Sequence, residues 1–173
     1  QEILIANVQS LMVLLKDDLY LYQSSECIAE HTLAILTALQ ADNITKKSKA
    51  GFWSLTDDVS LLSQIHTLAE CVDESLQRLA IITSLISRLG PISKRDLEAK
   101  VVAIAKRLSV LNNINAPEFI DKRAQATLIS SIREQGYITM NADGLLVASD
   151  SMAEIKATVI NLVDIEVLQS IAR

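Results

Sequence analysis

Residues 56–90 read TDDVSLLSQIHTLAECVDESLQRLAIITSLISRLG, and nothing inside this stretch breaks a helix before its closing glycine. Val59, Leu62, Ile65, Leu68, Ala69, Val72, Leu76, Leu79, Ile82, Ile86 and Leu89 recur in steps of three or four, the spacing of one stripe on a helix. Asp57 and Asp58 place negative charge where a helix N-terminus favours it, while Arg88, Gly90 and Pro91 supply stop signals. At 1.5 Å per residue such a helix is roughly 50 Å long. In a chain of 173 residues it has to act as a spine.

The two segments beside the spine repeat one order of elements. In the first, Leu4, Val8, Leu11 and Leu15 predict a helix from about Glu2 to Lys16, ended by Asp17 and Asp18. Leu19, Tyr20, Leu21 and Tyr22 read as a short strand. Ser24 and Ser25 then offer an N-cap for a helix from about Glu26 to Gln40, with Asn43 as its left-handed terminator. Two short strands follow, around the polar run at 46–51.

The second segment has clearer punctuation. Ile92 and Leu97 suit a hydrophobic staple, and Ser93 with Asp96 forms a capping pattern, so a helix starts at Lys94 and runs to about Ser109. Pro117 and Gly136 bracket a helix over 117–135. A hairpin follows, with strands at 137–140 and 145–148 around Asn141-Ala142-Asp143-Gly144. Ile44-Thr45 and Ile138-Thr139 take matching places, which predicts an internal duplication. Ser151 and Glu154 suggest a last capping box, opening a helix bent near Asp164.

The expected fold is therefore mainly α: a long central helix and two small β-hairpins, in tandem winged-helix-like repeats. The expected division is 1–55 for the first repeat, 56–90 for the connecting helix, 91–150 for the second repeat and 151–173 for a C-terminal helix.

Composition agrees. Half of the residues are hydrophobic but only 3% are aromatic, which suits helix-on-helix packing. The net charge of −5 is spread without a basic segment: Lys and Arg number four against six acids in 1–55, two against five in 56–90, and ten against ten in 91–173. The longest uncharged stretch of the spine, 79–87, is far short of the roughly 20 apolar residues of a membrane span. The opening Gln-Glu-Ile-Leu-Ile lacks Met and starts inside an amphipathic pattern, as expected of a piece of a longer protein. Cys27 and Cys71, far apart and outside any CxxC motif, predict reduced, buried thiols.

The chemistry-bearing motifs are sparse. The four glycines form no phosphate loop, and GxSxG, HExxH and paired CxxC motifs are absent from the sequence. Cys27 and His31 lie one helical turn apart, as do His66 and Glu70, with Cys71 next to Glu70; each set reads as a boundary histidine beside a core cysteine. The adjacent acids Asp17/Asp18, Asp57/Asp58 and Asp73/Glu74 diverge on a helix and read as caps or solvated faces. Lys46, Lys47 and Lys49 form a basic wing tip, but no segment is basic overall, so nucleic acid is not an expected partner and the lysines read as a solvated hairpin edge. No residue is assigned a catalytic, cofactor-binding or metal-binding role.

The run KRLSVLNNINAPEFIDK at 106–122, followed by ATLISSIREQGYI at 126–138, resembles the C-terminal region of bacterial membrane-associated glycerol-3-phosphate 1-O-acyltransferases. DESLQRLAIITSLISRLGPISKRDLEAK at 73–100 fits the same family more loosely, and LLKDDLYLYQ at 14–23 more loosely still. The resemblance implies a parent enzyme of phospholipid synthesis at the cytoplasmic face of the bacterial inner membrane. That enzyme moves a fatty acyl group from acyl-CoA or acyl carrier protein to the sn-1 hydroxyl of glycerol 3-phosphate. The family's His-x4-Asp motif, in which His is the general base, has no match here: Leu36 stands five residues after His31, and Cys71 five after His66. The resemblance thus implies an accessory domain that packs on an upstream catalytic domain and leaves membrane attachment to the parent. Two other classes remain: a tandem winged-helix scaffold for protein contacts, and a DNA-binding regulator using the Lys46–Lys49 loop.

Overall fold

The computed structural model describes residues 2–21 and 27–172. In chain order the elements are α1 (Glu2–Leu15), α2 (Ile28–Ala41), β1 (Thr45–Lys47), β2 (Trp53–Leu55), α3 (Val59–Leu89), α4 (Lys94–Leu111), α5 (Pro117–Ile120), α6 (Lys122–Glu134), β3 (Ile138–Met140), β4 (Leu146–Ala148), α7 (Met152–Ile160) and α8 (Ile165–Ala172). Each hairpin is a two-stranded antiparallel sheet, with Thr45 opposite Leu55 in one and Ile138 opposite Ala148 in the other. Ile92 adds a bridge to Leu146, exchanging backbone hydrogen bonds of 3.0 and 2.8 Å and tying the entry of α4 to the second hairpin.

The spine is α3. Asp58 caps it by accepting from the Ser60 and Leu61 N–H groups, and Gly90 ends it at a φ of 69°. Its two halves live in different surroundings. From Ser75 to Thr83 every residue is buried, Gln77 and Arg78 included, so the single stripe read from the sequence gives way there to burial all round. Between 59 and 74 no residue is buried, and Val59 and Leu68 are 80% and 63% exposed. The second half is enclosed because α4, α6, α7, α8 and β4 all pack against α3, and their apolar side chains join its own in one core.

The two flanks repeat at the level of individual backbone hydrogen bonds. Ile44 N–H donates to Leu39 O at 2.8 Å and Tyr137 N–H to Ile132 O at 3.1 Å; Thr56 N–H donates to Ile44 O and Ser149 N–H to Tyr137 O. The pairs Leu39/Ile132, Ile44/Tyr137 and Thr56/Ser149 each stand 93 positions apart. The same interval relates the bonds Leu19 to Leu15 and Asn112 to Leu108, and the bonds Gly51 to Ser48 and Gly144 to Asn141. It also relates the left-handed residues Tyr20 and Asn113, Asn43 and Gly136, and Gly51 and Gly144. The match pairs Ile44 with Tyr137 and Thr45 with Ile138, one position away from the Ile44-Thr45/Ile138-Thr139 alignment that side-chain likeness suggests. Backbone geometry sets the register here, through the left-handed residue that ends each second helix. Continued past the hairpins, the interval sets Val59 of α3 against Met152 of α7.

Asn43 and Gly136 hold equivalent conformations, φ 60° and 79°. A Cβ at Gly136 meets nothing within 4 Å, so Gly136→Ala is opposed by backbone conformation alone. It should lose about 1 kcal/mol or more, while Asn43→Gly should be near neutral or slightly stabilising. Urea midpoints of the two variants check this, and an unchanged Gly136→Ala would contradict the left-handed assignment.

Other boundaries differ from expectation. Residues 19–21 form a turn, not a strand: Leu19 and Leu21 N–H groups bond back to Leu15 and Lys16 O, and Tyr20 has a φ of 52°. Tyr22 and the Ser24-Ser25 cap lie outside the described residues. The helix expected over 117–135 breaks at Asp121, whose extended backbone lets its carboxylate cap α6 through the Arg123 and Ala124 N–H groups. The carbonyl of buried Phe119 is taken by the side chain of buried Gln125 at 2.7 Å, which holds the break in place. Ser93 caps α4 as expected. Ser151 does not cap α7: it is helical itself and its hydroxyl lies 2.9 Å from that of Ser149. The break between α7 and α8 falls near Asp164, as the sequence suggests.

The cap at Asp121 has a pH signature. Hydrogen bonds from the Ala124 and Arg123 amides hold its carboxyl below the ordinary aspartate range. Its folded pKa lies below its unfolded one, so the stability it contributes is present above the unfolded value and is lost as pH falls through the folded one. Asparagine keeps the capping oxygen without the charge. The stability gap between the parent and Asp121→Asn should be constant above about pH 5 and close on acidification; a gap independent of pH down to about 2 would contradict the charge-based origin.

Candidate interaction site

An open apolar groove of about 550 Å³ runs between α1, the middle of α3 and the end of α7. The spacing that makes α1 amphipathic presents Leu4, Val8, Leu11 and Met12 along one wall, and Ala69, Val72 and Leu76 of α3 line the other. Asp73 is the one acidic residue among those lining it; burial, then the nearby Asp164 and Glu70, push its carboxyl above the ordinary range, against the opposing pull of His66. Walls of this kind suit a hydrocarbon chain or the apolar face of a helix.

Close to the groove in sequence lies a buried ion pair that residue reading misses. Arg78 Nη2 donates to Asp18 Oδ2 at 2.5 Å, and the same oxygen accepts from the Ser75 hydroxyl at 2.5 Å. The Arg78 and Asp18 side chains are only 5% and 10% exposed, so Asp18 is not the solvated acid expected of the Asp17/Asp18 pair. Arg78 Nε and Nη1 are buried without partners among the described residues. The pair pins the turn after α1 to the enclosed half of the spine. The one signal available beforehand was an arginine one turn from Ser75 and Ile82, at the start of the uncharged stretch 79–87 of α3.

Cys27 is half-buried and His31 exposed. His66 Nε2 lies 3.5 Å from Glu70 Oε1 on an exposed face, and Cys71 is exposed too, which corrects the expected core thiol. Asp73 and Glu74 are half-buried, not solvated. Lys46 pairs with Asp57 at 3.1 Å and Lys47 sits 5.2 Å over the Trp53 ring, so two of the three wing lysines are engaged by the hairpin and the turn that follows it. Among the described residues, no group of three or more His, Cys, Asp or Glu could hold a metal ion, and no helix is long and apolar enough to cross a membrane.

Comparison with known proteins adds what the geometry does not. A model of the glycerol-3-phosphate acyltransferase C-terminal region matches residues 1–141. The chain belongs to this family. A glycerol-3-phosphate acyltransferase of Colwellia psychrerythraea is 73% identical over the whole chain, which spans 21% of that protein. Enzymes of the same name from Aeromonas hydrophila and Glaesserella parasuis are 34% and 32% identical, over 78% and 90% of the chain and 16% and 19% of their own lengths. The chain thus spans about a fifth of the curated relatives it matches. No solved structure matches it. The family match takes in the groove-lining part of α1 and α3, the Asp18–Arg78 pair and the 106–138 stretch whose resemblance the sequence carries.

Proposed function

We propose that this chain is the non-catalytic C-terminal accessory part of a glycerol-3-phosphate acyltransferase. Its parent transfers a fatty acyl group from acyl-CoA or acyl carrier protein to the sn-1 hydroxyl of glycerol 3-phosphate in phospholipid synthesis, at the cytoplasmic face of the inner membrane. The observation that carries the reading is the match to the C-terminal region of that family by a chain about a fifth as long as its relatives. The apolar lining of the groove agrees, because it offers a surface for packing and not a set of converging acids and bases. The repeated hydrogen bonds of the two flanks favour a tandem arrangement of two winged-helix-like units joined by α3.

The test is direct. With acyl-CoA and labelled glycerol 3-phosphate, the full-length protein should form lysophosphatidate and the 173-residue chain should stay at the no-protein background. Product from the chain alone would overturn the accessory role.

A further inference from the structure

The 93-residue interval has a consequence for the open groove. In the second flank, Leu97, Val101, Ala105 and Leu108 of α4 are fully buried; α3, which packs on both α4 and α7 and turns into α4 at Gly90–Ser93, covers α4 together with α5, α6 and α8. The equivalent face of α1 is Leu4, Val8, Met12 and Leu15, and all four line the groove, Leu15 at its buried end. Leu4 is 38% exposed where Leu97 is fully buried. Ile35 of α2 is 59% exposed where Leu128 is 1%, and Val59 is 80% exposed where Met152 is 2%. Among the described residues, the first flank repeats the hydrogen bonds of the second without a counterpart of the helix that packs across it.

We infer that the groove is the seat of a helix formed by the residues immediately upstream of Gln1 in the longer protein. The inference rests on the reading of this chain as the C-terminal part of that protein. Carried back by the interval, the equivalent of 75–89 is a segment about five to nineteen residues before Gln1. Its connection to α1 is as short as Gly90–Ser93. The sheet points to the same segment. Ile92 bridges Leu146, whereas Trp53, the counterpart of Leu146, has no such neighbour among the described residues. The residue equivalent to Ile92 lies about two positions before Gln1, within reach of Trp53. Tethering at Gln1 also gives this segment a high local concentration over the groove, an advantage no separate partner shares.

Cysteine cross-linking in the full-length protein tests the inference. In a background without other cysteines, Val8→Cys is paired with single cysteines walked through the thirty residues before Gln1. Val101→Cys, paired with cysteines walked along 75–86, serves as the control. Oxidation should give disulfides with Val8→Cys that peak every three or four positions in the window about five to nineteen residues upstream, at several times the yield of the positions between. If the control pairs cross-link and the window does not, the inference fails. Cross-links only to regions far upstream, or capture of a photoreactive acyl chain at Val8 without window cross-links, would give the groove to the catalytic part or to lipid and also overturn it. The readout needs no activity, so either failure leaves the accessory-domain reading to its own assay.

Discussion

Replacing Arg78 by methionine should destabilise the chain by about 3–5 kcal/mol, the size of effect seen when one member of a buried pair is removed and the other is stranded. Asp18 is then left in a nearly closed site without its cation, with the Ser75 hydroxyl as its remaining direct partner among the described residues. Asp18→Leu should also be costly, because the guanidinium already has two buried nitrogens without partners and would lose its carboxylate. The double variant Arg78→Met with Asp18→Leu removes both charges and should recover most of the loss, since well-packed apolar pairs often match or exceed buried ion pairs. Urea unfolding of the parent, the two single variants and the double variant measures the coupling. A single-variant loss below about 1 kcal/mol would mean that the pair is solvated, as surface pairs are.

That pair also marks where sequence reading stops. The spine, both hairpins and the cap at Ser93 are local features: helical spacing, an Asp-Gly turn and a short capping pattern are written within a few residues of where they act. The partner of Arg78 stands 60 positions away, across a turn whose left-handed Tyr20 carries no glycine to advertise it. The break at Asp121 was hidden for a related reason. A good N-cap residue inside a helical pattern is decided by what surrounds it, here buried Phe119 and the Gln125 side chain that takes its carbonyl. The repeat was visible as an order of elements, but its register was not. Few residue identities are shared at the 93-residue interval, whereas hydrogen bonds and left-handed positions recur at it. The groove was least legible of all. Leu4, Val8 and Leu11 recur at a spacing that predicts a helix, and nothing in that spacing shows that they line an open groove.

One substitution made twice on the same helix should separate the two environments of α3. Leu79→Ala, in the enclosed half, deletes a fully buried side chain from the core and should cost about 2–5 kcal/mol, according to how far α4, α7 and α8 can close the gap. Leu68→Ala, less than four turns earlier, removes a largely exposed side chain and should stay within about 0.5 kcal/mol. Alanine is the better helix former, so the exposed site loses nothing in propensity. Helix formation therefore cannot explain a difference between the variants; it has to come from packing. The same pair in the full-length protein then reports what the upstream chain adds. A Leu68→Ala penalty that rises there would show this half of the spine covered as well. Equal penalties at the two positions in the 173-residue chain, by thermal or urea unfolding, would mean that α3 is buried evenly along its length and that the contrast between the flanks is wrong.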